Sequence, residues 1–461
     1  MLDWRADRAI HAHRPRGLVH APSPARRCPS CVTRLLRGRV RLYHKIFSWH
    51  PAPAPSRSMT SPRLALLVAV TPLALLAQNP RPDTARAPAP AATQPRRWFD
   101  RYTLRGYGQL RYNRLFESNS RYTCAQCDRS IGNNGGFFLR RGRVVLSGDA
   151  SDRVAIYLQT DFGADAAGAL HYWQVRDAYF DLSLDAAKHH RLRVGQSKVP
   201  WGFENLQSSQ ARLPLDRHDA LNSGVPNERD IGVFYYWTPS AARSRFKMLT
   251  DSGFKGTGDY GVLGIGTYNG QTSNRPEANN SQHVVARVAY PFRLPGHQLA
   301  EAGLQYYTGR FVLPSRTAGV AVAGEYLDER WAASFTLYQR PFGVVAEWTE
   351  GWGPEFEPVA RAVVSRRLKG GFLQPMIRMT HGSQVITAFG RVQYYQGGKK
   401  LETDARRSRL SETEVGIEWL PFASFELTGA FTSGVRETAD GASPLATQRG
   451  RLVKLQAQFN F

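Results

Sequence analysis

Apolar and polar residues alternate along most of this chain, and the alternation runs through the last residue. Val453, Leu455, Ala457, Phe459 and Phe461 share one parity, against Leu452, Lys454, Gln456, Gln458 and Asn460 on the other. A β-strand turns successive side chains to opposite faces, so this segment reads as a strand with one apolar and one mostly polar face. The earliest clear strand obeys the same rule. Tyr102, Leu104, Gly106, Gly108, Leu110 and Tyr112 lie on one face, with Arg101, Thr103, Arg105, Tyr107, Gln109 and Arg111 on the other. Similar stripes recur at Val154-Ile156-Leu158, Val284-Ala286-Val288-Tyr290, Trp331-Ala333-Phe335-Leu337, Phe342-Val344-Ala346-Trp348 and Ala388-Gly390-Val392-Tyr394. Between residues 101 and 461 about eighteen segments follow this pattern, at the spacing of strands joined by short turns on one side and longer loops on the other. Helical periodicity is nearly absent, apart from a short turn near 211–222. The strand pattern is weakest at 244–268 and 319–350.

The expected fold is an all-β, transmembrane antiparallel β-barrel of sixteen strands, with two of the segments folded into loops; eighteen strands is the alternative. A bilayer admits β-structure only as a closed barrel, because an open edge would leave backbone groups unpaired in lipid. A soluble β-sandwich also alternates, but would need an apolar inner layer and a break between domains. The strands here continue without one. The terminal alternation marks Phe459 and Phe461 as an assembly signal at the closing seam.

The N-terminal region reads differently. Residues 1–58 are rich in Arg, Pro, His and Ala without period, and are expected to be a misassigned upstream stretch without folded content. Met59-Thr-Ser-Pro-Arg63, the apolar run Leu64 to Leu76 and the small Ala77 make a signal peptide at 59–77. A basic arm before a single membrane helix is the alternative, though the run is short for a span. Residues 78–97 form a Pro/Ala-rich periplasmic lead-in, and 98–461 the barrel domain. The whole chain has 61 Lys and Arg against 37 Asp and Glu, a formal +24. Residues 1–77 hold 13 of the basic and 2 of the acidic residues, which leaves 48 against 35, or +13, over 384 residues. Cys124 and Cys127 lie in a polar stretch. Two thiols alone do not complete a structural zinc site, and no helix is indicated beneath them for a redox pair, so a local disulfide in an oxidising compartment is expected.

If the apolar parity faces lipid, the other faces the lumen. That assigns Arg101, Arg105, Arg111, Arg141, Arg143, Arg153, Arg191, Arg193, Arg287, Arg361, Arg367, Arg378 and Arg391 inward. The same rule sends Asp161, Asp177, Asp181, Glu301, Glu347, Glu414, Glu418 and Glu426 inward, so arginine is in excess. Any one Arg can simply pair across the wall. Guanidinium nevertheless presents a fixed fork of donors suited to oxyanions, and an excess of it concentrates anions. A long interruption after Gly195, running to Gly232, would narrow the channel if folded inward, with Lys198, Arg212, Arg217, His218 and Arg229 among its basic members. An external lid or trimer latch is the competing use. Ser208, Ser209, Asp216, His218 and Asp219 lie near one another in that loop, but a hydrolase needs them on a fixed scaffold with an oxyanion site. No phosphate loop, metal cluster or compact nucleic-acid module is present in the sequence. No cofactor and no catalysis are expected.

Leu192 to Asn205, reading LRVGQSKVPWGFEN, resembles the strand-and-loop signature of the phosphate-selective porins, the porin O/P family. Asn227-Glu-Arg-Asp-Ile-Gly-Val233, Arg-Arg-Gly-Arg-Val at 140–144, Asp177-Ala-Tyr-Phe180, Tyr268-Asn-Gly270 and Phe461 are similar to the same family. The resemblance spans about residues 98–461. It implies a sixteen-stranded homotrimeric porin in the outer membrane of a Gram-negative bacterium, in contact with outer-membrane lipid. It further implies an arginine-lined path for small inorganic anions such as phosphate or chloride, with Lys198, Arg191 and Arg193 beside the constricting loop. Ser197 and Trp201 depart from the residues common in the family, as does the Cys124/Cys127 pair. Anion preference therefore transfers better than phosphate specificity. A general porin is the near alternative, and a barrel enzyme or adhesin the distant one.

Overall fold

The computed structural model describes residues 97–116, 122, 136–163, 172–225 and 229–461. The expected signal peptide, the upstream stretch, nearly all of the lead-in and the Cys124/Cys127 pair lie outside them. Sixteen antiparallel strands among the described residues close into one barrel, each hydrogen-bonded to its sequence neighbours, with the first paired to the last. They are β1 (Tyr102–Leu115), β2 (Gly136–Asp149), β3 (Val154–Gly163), β4 (Tyr172–Ser183), β5 (His190–Lys198), β6 (Arg229–Trp237), β7 (Leu263–Tyr268) and β8 (His283–Arg293). Then follow β9 (Leu299–Phe311), β10 (Tyr326–Leu337), β11 (Phe342–Glu357), β12 (Ala362–His381), β13 (Gln384–Gly398), β14 (Arg407–Phe422), β15 (Phe425–Ala439) and β16 (Ala446–Asn460). The sixteen-strand count holds, and eighteen does not.

The radial distribution of polarity is that of a wall between lipid and water. Leu104, Leu110, Leu146, Leu304, Phe335, Ile417 and Leu455 are exposed on the outside, while Gln109, Arg111, Arg143, Arg287, Glu347 and Lys454 are buried inside. An apolar exterior over a polar interior is what a strand wall needs to cross a bilayer. The closing seam runs from Tyr107 opposite Asn460 to Leu115 opposite Leu452. Phe461 extends it, because its N–H donates to the Gly106 carbonyl and its carbonyl accepts from the Gly106 N–H. Phe459 and Phe461 both point outward and are exposed.

Two connections break the regular pattern. Residues 199–228 join β5 to β6 and carry the short helices α1 (Phe203–Leu206) and α2 (Asp219–Gly224). At the opposite end, where the other turns are short, residues 238–262 join β6 to β7 and carry α3 (Ser240–Asp251). That helix falls in the stretch where the alternation was weakest. Its signal is Ala242, Phe246 and Leu249, which recur at helical spacing and are the buried residues of α3. Leu249 packs with Phe254, Leu299 and Tyr338, so the helix is seated on the rim of the wall.

Candidate functional site

The β5–β6 loop lies inside the barrel, and its anchors extend around the bore. On one side the Ser209 hydroxyl meets Tyr107 Oη at 2.6 Å and accepts from Arg143 Nη1 at 2.6 Å. On the far side Arg330 of β10 donates to the Ser223 hydroxyl at 2.7 Å, and Glu347 of β11 accepts from the Phe203 and Glu204 N–H groups. Gln458 of β16 donates to the Gln210 carbonyl at 3.1 Å. The loop thus crosses the lumen and is held at both walls.

The residues of the family-like signature explain how the loop starts. Lys198 Nζ donates to the Leu206 and Gln207 carbonyls at 3.1 and 2.8 Å, folding the chain back on itself. Asn205 donates to the Val199 carbonyl at 2.8 Å. Trp201 is fully buried and packs edge-on to Tyr307 of β9. The second signature piece re-enters the wall at Arg229, which forks onto the Asp177 carboxylate of β4. Beside it, Asp230 accepts from the Gly270 and Thr272 N–H groups and so fixes the start of the β7–β8 loop.

The loop's carboxylates meet cations of the wall. Glu204 faces Arg391 at 2.5 Å and His218 at 2.7 Å. Asp216 faces Arg111 at 2.9 Å and Lys454 at 3.5 Å, and Asp219 faces Lys399 at 2.7 Å. Burial alone would raise these carboxyls. Arg391 and His218 outweigh it at Glu204, as Arg111 and Lys454 do at Asp216, and both groups sit well below the usual carboxylate range. Asp219 is lowered against burial in the same way, by Lys399 and Arg436.

Most arginines of the interior meet a carboxylate. Arg193 forks onto Asp181 at 2.8 and 2.9 Å, Arg191 lies 3.5 Å from Asp259 and 3.6 Å from Asp181, and Arg287 reaches Glu301 at 3.4 Å. These are wall pairs. Strand β2 carries three more, Arg140, Arg141 and Arg143, of which Arg143 pairs with Asp161 of β3 at 3.1 Å. The β1–β2 register shifts between Gln109 and Leu110, where Arg140 of β2 is the extra residue of a bulge and has no partner in the ladder. Arg141 Nη1 donates to Gln109 Oε1 at 3.0 Å.

Beneath the loop an open space of about 760 Å³ is lined by Arg105, Arg143, Arg193, Lys198, Arg229, Lys255 and Arg378, with Asp177, Asp251, Asp259, Glu418 and Glu426. Several expected lumen residues lie elsewhere. Arg101 ends a 3-10 turn, Trp98–Arg101, ahead of β1 and is exposed. Arg153 lies in the exposed turn between β2 and β3, and Arg361 in the β11–β12 turn. In each case the apparent alternation runs past the true end of a strand. Arg367 shares the outward parity of Leu373 and pairs with Glu350 at 2.7 Å outside the barrel. Of the residues assigned to the loop, Arg212 and His218 are buried in it and Arg217 is half-buried, whereas Arg229 opens β6. Sequence reading missed Arg330, Lys400 and Asp328, which form a fully buried group with Lys400 2.5 Å from Asp328. Arg330 and Asp328 do share the inward parity of β10, so alternation could have found them.

The profile of the family described as phosphate-selective porin O and P matches residues 118–461. No curated relative matches the sequence. Among solved structures, OprB of Pseudomonas putida is similar at a TM-score of 0.50 and 8% identity, over 78% of this chain and 94% of that one. The outer membrane channel DcaP of Acinetobacter baumannii gives 0.48 and 12%, over 78% and 97%. An anion-selective porin from Comamonas acidovorans gives 0.48 and 10%, over 78% and 99%.

Proposed function

Because the chain belongs to the phosphate-selective porin O and P family, we propose that it passes small anions, inorganic phosphate among them, through a lumen narrowed by the β5–β6 loop. Membership makes it an outer-membrane channel of a Gram-negative bacterium, and not an enzyme. The short-turn end of the barrel then faces the periplasm, as is usual for such barrels.

The observation that carries the anion reading is the cationic excess on the inner wall: seven basic side chains against five carboxylates line the space beneath the loop, and Arg141 is buried with the neutral amide of Gln109 as its acceptor. Guanidinium groups there would replace the water around an oxyanion with directed N–H donors. The vestibule beneath has more cationic than acidic side chains on its wall, which favours anions on approach. Phosphate added to reconstituted channels should reduce chloride current. Arg141→Gln should weaken that block, while the parent and variant barrels form equally well. Phosphate without effect on chloride current would leave a channel with no oxyanion site.

A general porin without strong ion choice is the second reading. It is favoured by Arg193, Arg229 and Arg111, each of which is closely matched by a carboxylate. In that case the reversal potential in a salt gradient would stay near zero. The homotrimer implied by the family resemblance is part of the proposal, and mass measurement in mild detergent should give three copies.

A further inference from the structure

The β6–β7 connection is an exception among the turns at its end of the barrel. It is long, and it does not lie outside the mouth. After α3 the chain enters the lumen with Gly253, Lys255, Gly258 and Gly261 all at positive φ, an irregular path that holds Lys255 in the left-handed region. It is tied down on several sides. Phe254 is covered by the guanidinium groups of Arg340 and Arg378 at 4.7 and 5.0 Å. Asp259 accepts from Thr238 Oγ1 and the Gly261 N–H, and Arg287 of β8 donates to the Gly261 carbonyl. The tip also touches the other inward segment, since Gln207 Nε2 donates to the Lys255 carbonyl at 2.7 Å.

Lys255 reaches across to the opposite wall. Its ammonium lies 2.5 Å from Glu418 of β14 and 3.9 Å from Glu426 of β15. Both carboxylates are buried, and Arg378 stands at the same opening. Burial would depress the Lys255 ammonium, but Glu418 and Glu426 outweigh it and raise its pKa, so it is charged at neutral pH. Glu418 and Glu426 stand together as one buried carboxyl pair, and Lys255 is the cation in contact with both. Without Lys255 that pair loses its contacting cation.

We infer that the β6–β7 connection is a second, periplasmic constriction, and that Lys255 is a selectivity-determining residue which offsets the negative charge of the Glu418/Glu426 pair at that mouth. The inference goes beyond the anion reading above, because it concerns the change caused at one mouth and not the sign of the whole channel. A narrow opening with low-dielectric walls focuses the field of a single uncancelled charge, so one residue there weighs more than one in an open funnel.

The test uses the full chain reconstituted in planar bilayers, with reversal potentials read in a KCl gradient. Lys255→Gln should lower the chloride-to-potassium permeability ratio by about threefold or more relative to the parent, and Lys255→Glu further. Glu418→Gln with Glu426→Gln should raise it above the parent. Adding both Gln changes to Lys255→Gln should restore a ratio near the parental one. The comparison is with the parent, so it holds whichever ion the parent prefers, and a cation-preferring parent would count against the anion reading alone. If Lys255→Gln fails to form heat-modifiable barrels, the double glutamine variant carries the test in the other direction. Ratios unchanged in both the Lys255→Gln and the double glutamine variants would overturn the inference.

Discussion

Arg111 Nη1 stands 2.9 Å from the Asp216 carboxylate, a contact that ties the first wall strand to a residue 105 positions away on the inward loop. Arg111 also donates to the Leu215 carbonyl and the Gln456 side chain, so the same guanidinium joins the loop to the closing seam. Lys454 approaches Asp216 from β16. Removing one partner of a buried pair typically costs about 3–5 kcal/mol, because the other charge is left uncompensated.

Asp216→Ala should therefore loosen the loop without opening the barrel, whose strand ladder does not involve Asp216. Single-channel recordings should show noisier and larger conductance steps than the parent. The SDS-resistant, heat-modifiable form should persist. Steps indistinguishable from the parent would mean that the Arg111–Asp216 contact does not hold the loop.

The loop carboxylates predict how pH acts. Glu204 and Asp216 lie below their ordinary values of 4.5 and 3.8. A depressed carboxyl contributes stability above its unfolded pKa and loses it as pH falls through the folded one. The Glu204 and Asp216 ion pairs should thus be intact at neutral pH, begin to weaken as pH falls below the ordinary carboxylate values, and be lost only in stronger acid. Conductance followed during acidification should show the change well below pH 4. A transition centred near ordinary carboxylate values would contradict these pairings.

At the seam, a Cβ on Gly106 would lie 2.4 Å from the Arg143 carbonyl oxygen and 2.5 Å from the Phe461 ring, whereas one on Gly108 meets nothing within 4 Å. Gly106→Leu should cut the yield of folded barrel sharply, and Gly108→Ala should leave it near the parent. Deleting Phe461 removes both backbone bonds to Gly106 and should reduce yield far more than Asn460→Ser. Heat-modifiability on gels gives the yields. Equal losses at Gly106 and Gly108 would show that the ring does not need the bare backbone beneath it.

The wall was largely legible in the sequence because lipid outside and water inside impose a period of two on every strand. Tyr107, Gln109 and Arg111 fell inside and Leu104 and Leu110 outside as alternation requires. The pattern failed where strands end. Arg101 and Arg153 continue the alternation but belong to a 3-10 turn and an exposed turn. Parity also cannot register a bulge, and so it could not find the extra residue at Arg140. The loop was legible as an interruption, but its partners were not. Contacts such as Arg330 to Ser223 or Lys255 to Glu418 join residues more than a hundred positions apart, and only closure of the barrel brings them together.

The central claim is that the lumen favours anions. Reversal potential across a bilayer holding the purified channel in a KCl gradient tests it most directly. The potential should be displaced toward the chloride equilibrium value, and less so in Arg141→Gln. A displacement toward the potassium value would contradict it.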